Sequence, residues 1–170
     1  MKLYHYVVKN NNVLKEGILS FSKSKNVDLN YYAKRSGYKT QAEISKWMED
    51  CFEGRSRGIR LLIEPLQCTK RTPRIKEFIK SADLFEVNVS AMDEDGLIEA
   101  IYVSPSVLEK EPDDKNDEAL FKISGLCEID LTPNDYTILD DKKGWHFAFI
   151  RYYLFVIKDG VIPPRYIKKV

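Results

Sequence analysis

The sequence predicts an α+β fold, a twisted, mixed or mostly antiparallel sheet with a few helices packed on it. Three observations carry this. Short runs of β-branched and aromatic residues, bounded by Gly, Pro, Asn and Asp, recur along the chain as strands do. One stretch carries a clean helical repeat. Strands and helices do not alternate regularly, as a parallel doubly wound sheet would require, so helices grouped to one side of the sheet fit the order better. The 170 residues fit one domain, 1–170, a size at which a core forms without staples.

Residues 3–8 read as a first strand. Asn10, Asn11 and Asn12 suit the start of a helical turn, because Asn caps unpaired N–H groups. That turn would carry Val13 and Leu14 and stop at Gly17. Ile18, Leu19 and Phe21 continue the apolar pattern. The clearest helix spans 41–52: Thr40 and Glu43 match a capping box. Ile44, Trp47, Met48, Cys51 and Phe52 share one face, and core packing is the expected use of that face.

Residues 59–63 read as a strand ended by Pro65. Pro73 opens a short helix with Ile75, Phe78 and Ile79 inward. A half-buried strand follows at 84–89, then a turn at 93–96 and a buried strand at 97–103. Residues 109–118 hold six acidic side chains against two lysines and read as a solvated loop. Strand pieces are expected at 120–123 and 128–131, turns at 140–144 and 159–160, and the longest strand at 147–157. Pro163 and Pro164 force extended backbone before Tyr166 and Ile167.

Composition narrows the function classes. Hydrophobic residues are 44% and charged residues 31% of the chain, with a formal net charge of +1. Neither bulk disorder nor a histone-like chain fits. Cys51, Cys68 and Cys127 are widely spaced with no C-x-x-C, so neither a disulfide framework nor a zinc site is expected. A reduced, cytoplasmic setting follows. There is no secretory leader pattern at the N-terminus and no run of 18 apolar residues, so no membrane association is expected.

The opening Leu3-Tyr4-His5-Tyr6-Val7, followed by Asn12, Leu14, Gly17, Ile18 and Leu19, sets a His on a first strand ahead of a short capped turn that ends in Gly. It resembles the start of ADP-ribosyltransferase-fold proteins, and among them the DNA ADP-ribosyltransferase toxins, over about twenty residues. The resemblance implies NAD as substrate, with His5 and Tyr6 in its pocket. It also implies a carboxylate that stabilises positive charge at the reacting ribose carbon. Glu128 is the candidate and Glu99 its rival. The Gln/Glu-x-Glu signature of many such enzymes is absent, and Tyr102 and Ser104 in Ile101-Tyr102-Val103-Ser104 stand only loosely for their Ser-Thr-Ser. The alternative for His5 is a structural histidine that bonds a backbone carbonyl.

Residues 55–80 hold eight basic and two acidic side chains. The Gly54-Arg55-Ser56-Arg57-Gly58-Ile59-Arg60 turn within them suits a phosphate. Arginine forks grip phosphate oxygens, and flanking glycines let backbone N–H groups approach an anion. Arg57 and Arg60 are therefore candidate cofactor ligands. The same segment supports a second class of function, a nucleic-acid-binding module using Arg55, Arg57, Arg60 and Arg74 with Tyr31 and Tyr32 stacking on bases. Its bland reading is a solvated basic loop, and residues 31–38 themselves read as a loop. Arg151, between aromatics, would stack on a ring or pair with Asp140 or Asp141. His5 and His146 are the only histidines, and no spacing supports a metal site. The third class is a non-enzymatic protein-interaction domain built on the acidic and basic loops.

Overall fold

A computed structural model describes residues 1–9, 12–25, 27–67, 73–104, 120–134 and 151–170. The architecture is α+β. Seven strands form one sheet in the order β6-β5-β7-β3-β1-β4-β9, and β2 pairs with β8 separately. The strands are β1 (Lys2–Val8), β2 (Ile18–Leu19), β3 (Gly58–Leu62), β4 (Ala82–Asn88), β5 (Ile98–Val103), β6 (Phe121–Ile123), β7 (Tyr152–Ile157), β8 (Val161–Ile162) and β9 (Ile167–Lys169). Every described pairing is antiparallel.

The core is built around β7, in which all six residues are buried. A continuous apolar run of this kind marks a strand covered on both faces. Register places Tyr153 opposite Leu61 and Phe155 opposite Ile59. These residues join Leu3, Phe85, Val87 and Ile101 in one buried cluster. Alternation puts Leu154 and Val156 on the opposite face. There the 3-10 turn Arg55–Arg57 sits tightly: a Cβ on Gly54 would stand 2.5 Å from Val156 Cγ1.

Helix α1 (Val13–Glu16) is one turn between Asn12 and Gly17. The Asn12 side chain makes no capping bond; its carbonyl accepts the Lys15 and Glu16 amides instead. Val13 is buried, but Leu14 points to solvent. Asn10 and Asn11 lie outside the described residues. Helix α3 (Gln41–Cys51) forms because both halves of the expected capping box are made, Glu43 N–H to Thr40 Oγ1 and Thr40 N–H to Glu43 Oε2. Ile44 and Met48 are buried, Trp47 is half-buried, and Cys51 is exposed rather than core-facing. Thr40→Ala is expected to cost about 1 kcal/mol, the usual worth of such a cap. Urea unfolding checks this, and a change below about 0.3 kcal/mol would contradict it.

The stretch read as a loop at 31–38 is largely helix α2 (Leu29–Ser36). Its lysine and arginine obscure an apolar side, where Leu29 and Tyr32 pack on Phe21, Ile44 and Met48. The turn at 93–96 begins as helix α5 (Val89–Glu94), which Asn88 Oδ1 caps by accepting the Ala91 amide. Residues 128–131 are not a strand. A 3-10 turn, Leu126–Glu128, leads into irregular backbone. That backbone is held by Tyr153 Oη, which accepts the Asp130 amide, and by Arg151. Arg151 pairs with Asp130 at 2.7 Å; Asp140 and Asp141, the expected partners, lie outside the described residues.

Nor do the helices group on one side. Val13 of α1 and Val89 and Met92 of α5 join the Leu3 cluster. Helix α4 (Pro73–Ser81) packs Phe78 against Tyr6, their centroids 5.5 Å apart. Leu3 and Tyr6 alternate along β1, so these helices cover opposite faces. The strand expected at 147–157 is described from Tyr152 on. Cys68, residues 109–118 and residues 140–150, including His146, lie outside the described residues. Among the described residues, no helix is long and apolar enough to cross a membrane.

Candidate functional site

The sheet opens at its centre. β1 matches β4 over its full length, from Lys2↔Asn88 to Val8↔Ala82, and β3 matches β7 from Gly58↔Val156 to Leu62↔Tyr152. Yet β1 and β3 share only the pair Tyr4↔Leu62. Beyond it the two strands diverge. The His5 ring fills the breach: Nδ1 lies 2.7 Å from the Arg60 carbonyl oxygen. A carbonyl only accepts, so Nδ1 carries the proton and Nε2 holds a lone pair. Burial lowers the His5 pKa, with the Arg60 carbonyl opposing this to a smaller degree. The ring is therefore neutral at pH 7.

The breach continues into a cleft of about 210 Å³, where His5, Arg55 and Arg60 converge with Phe21, Tyr32 and Trp47. Each arginine is oriented by an aromatic ring. The Arg55 guanidinium stands 5.2 Å from the Trp47 centroid and 5.7 Å from that of Phe52, and the Arg60 guanidinium 4.7 Å from that of Tyr152. Such stacking holds each guanidinium plane against its ring. Trp47 and Arg55 meet because Phe52 ends α3 in extended backbone and Gly54 turns the chain in the left-handed region.

The other expected site residues are placed elsewhere. Arg57 turns away from the cleft and pairs with Glu99 at 2.5 Å, so a candidate phosphate ligand and a candidate catalytic carboxylate neutralise each other. Glu128 accepts from the Ser124 amide and hydroxyl at 3.0 and 2.8 Å. These bonds, led by the backbone one, hold its carboxyl below the usual range. Tyr102 stacks on Phe52 at 4.1 Å. Ser104 is buried at the end of β5, where its Oγ accepts the Tyr152 amide at 3.1 Å. Tyr6 Oη accepts the Leu66 amide at 3.0 Å. The side chains of Tyr31 and Arg74 lie outside the described residues.

The structure thus brings together His5, Arg55, Arg60 and Tyr32, and separates them from Arg57, Glu99, Glu128, Tyr102 and Ser104. Among the described residues lining the cleft, none is acidic, and no cluster of His, Cys, Asp and Glu could hold a metal. Trp47, Phe21 and Ser20 line the cleft without having been singled out as site residues. Trp47 sits on an ordinary amphipathic stripe, and no pattern in the sequence distinguishes it from core.

Comparisons with protein-family models, with curated proteins and with solved structures gave no match.

The titration of His5 has a measurable consequence. Its ordinary pKa is 6.5 and the folded value is lower. Between the two, the unfolded chain binds more protons, so stability falls as pH falls. This contribution is complete above about 6.5 and lost as pH drops through that value toward the folded one. His5→Asn supplies an N–H donor for the Arg60 carbonyl without a titrating ring. Wild type is therefore expected to lose stability more steeply than His5→Asn between about pH 7.5 and about pH 5.5. Parallel slopes in urea unfolding would show that His5 is not held neutral by the fold.

Proposed function

We propose that this protein binds a phosphate-bearing nucleotide in the cleft where β1 and β3 part. NAD is the ligand that the ADP-ribosyltransferase-like opening of the chain implies. One observation carries the reading: His5, Arg55 and Arg60 line a single cleft with Trp47 and Tyr32. Guanidinium groups bond phosphate oxygens in pairs. Aromatic side chains offer faces to a base or a nicotinamide ring. A neutral imidazole with a lone pair on Nε2 accepts from a ribose hydroxyl or an amide N–H.

The reading is of binding first. ADP-ribosyl transfer also needs a carboxylate beside the ribose, and Glu128 and Glu99 have partners of their own away from the cleft. Calorimetric titration with NAD tests the proposal. Saturable binding that weakens in Arg55→Gln and persists in Arg57→Gln supports it. No heat at millimolar NAD, or equal losses in the two variants, contradicts it.

A nucleic-acid module is the second reading, favoured by Tyr32 beside Arg55 and Arg60 on an open cleft. It requires affinity for single-stranded oligonucleotides that falls steeply with salt, because released counterions drive such binding. Salt-independent binding, or none at low salt, removes it.

A further inference from the structure

A second cavity of about 170 Å³ adjoins the cleft, with His5 and Arg60 between them in the lining of each. Its character differs from that of the cleft. Among the described residues that line it, Tyr4, Tyr6, Phe78 and Tyr152 supply four rings, and Leu62 and Leu66 add apolar surface. His5 and Arg60 belong to both cavities. The elements explain why it exists. Tyr4, Tyr6, Arg60, Leu62 and Tyr152 share one face of the sheet, since Tyr4 stands opposite Leu62, Leu62 opposite Tyr152 and residues alternate along each strand. Helix α4 covers this face through Phe78, tilted 60° to the Tyr6 ring.

The size suits one six-membered ring, since an apolar cavity of about 150 Å³ admits benzene. The walls suit a planar ring, because aromatic side chains gain from stacked and edge contacts beyond the area they bury. Two polar features orient such a ring. The Tyr6 hydroxyl accepts the Leu66 amide, and its own O–H still has a proton to give. Burial raises the pKa of this phenol, with the Leu66 amide opposing to a smaller degree, so the proton stays in place. The Arg60 guanidinium over Tyr152 puts positive charge at the wall shared with the cleft, which favours an anion and disfavours a cation.

We propose that this cavity is a ligand pocket in its own right, taking a planar aromatic ring that carries an anionic oxygen acceptor. The ring lies among Tyr4, Phe78 and Tyr152, and the acceptor reaches the Tyr6 hydroxyl. The pocket stands apart from the nucleotide reading of the neighbouring cleft, and its own probe tests it.

That probe is benzoate, titrated into the full chain and followed by amide chemical shifts. A fragment of this size is expected to bind with a dissociation constant of about 1 mM. Cyclohexanecarboxylate has the same charge without a flat ring, and benzylamine has the ring with the opposite charge. Both are expected to bind at least about tenfold more weakly. Tyr6→Phe keeps the ring in the wall, removes the donor together with the bond from the Leu66 amide, and is expected to weaken benzoate about fivefold. No benzoate binding at 10 mM (roughly ten times the expected constant) overturns the proposal. So does equal binding of the three probes, or unchanged affinity in Tyr6→Phe. Benzoate binding beside a failed NAD titration leaves the pocket standing and removes only the nucleotide reading.

Discussion

Replacing Gly17 by alanine is expected to cost about 3–4 kcal/mol, among the largest effects of any single methyl group added to this chain. The backbone there has φ 90° and ψ −178°, a region that is essentially glycine-only. A Cβ would also stand 2.2 Å from the Ile162 carbonyl oxygen. That oxygen is backbone and cannot swing aside, because Ile162 is fully buried and pairs with Ile18 in the β2–β8 ribbon. The damage would spread toward the cleft, since Leu19 and Ser20 follow directly and line it. Gly96→Ala is the control: φ is also positive, at 68°, but nothing lies within 4 Å. It should lose only about 1 kcal/mol, the backbone term alone. Urea unfolding separates the two. With a slope of about 1–3 kcal/mol per molar, Gly17→Ala should lower the midpoint by more than about 1 M. Equal midpoints for the two variants would mean that Gly17 and Ile162 are not packed as described.

Arg60→Gln is expected to weaken NAD binding by about 10–100-fold, the worth of one charge-assisted hydrogen-bonded contact. Arg60 lies where the strands part: its carbonyl accepts the His5 ring, its guanidinium rests on Tyr152, and its side chain borders the cleft. Glutamine is shorter and neutral but still polar, and the backbone carbonyl is untouched, so the His5 contact survives and the fold is expected to hold. Arg57→Gln removes a charge only three residues away, but one already paired with Glu99, and should change NAD affinity less than about twofold. Isothermal titration of the two variants under one buffer checks the contrast. If both lose affinity alike, binding follows net basic charge and not the cleft.

Much of the fold could be read from local chemistry. The Thr40–Glu43 box announced α3, because both of its bonds form within four residues. The apolar run at 152–157 announced a strand, and the structure shows it buried on both faces. What escaped depends on partners distant in sequence. Helix α2 is amphipathic only in relation to Phe21 and α3, and its own residues, with Lys34 and Arg35 among tyrosines, look like a solvated loop. The site was legible in its residue types but not in its geometry. Both readings of His5 concerned a single contact, yet the ring bonds the Arg60 carbonyl and lines the cleft at once. Arg57 and Arg60 carry the same charge in the same segment. Only the positions of Glu99 and the β1–β3 opening separate them, and neither is visible without register.

The most direct measurement is the thermal unfolding midpoint with and without millimolar NAD, in wild type and in Arg60→Gln. A ligand held only by the folded chain at about 100 times its dissociation constant stabilises by about 2.7 kcal/mol. At about 2–4 °C per kcal/mol, that is a rise of several degrees for a chain of this length. A nucleotide cleft at β1 and β3 predicts this rise in wild type and its reduction to about half or less in Arg60→Gln. No rise in wild type, or an equal rise in both, would contradict it.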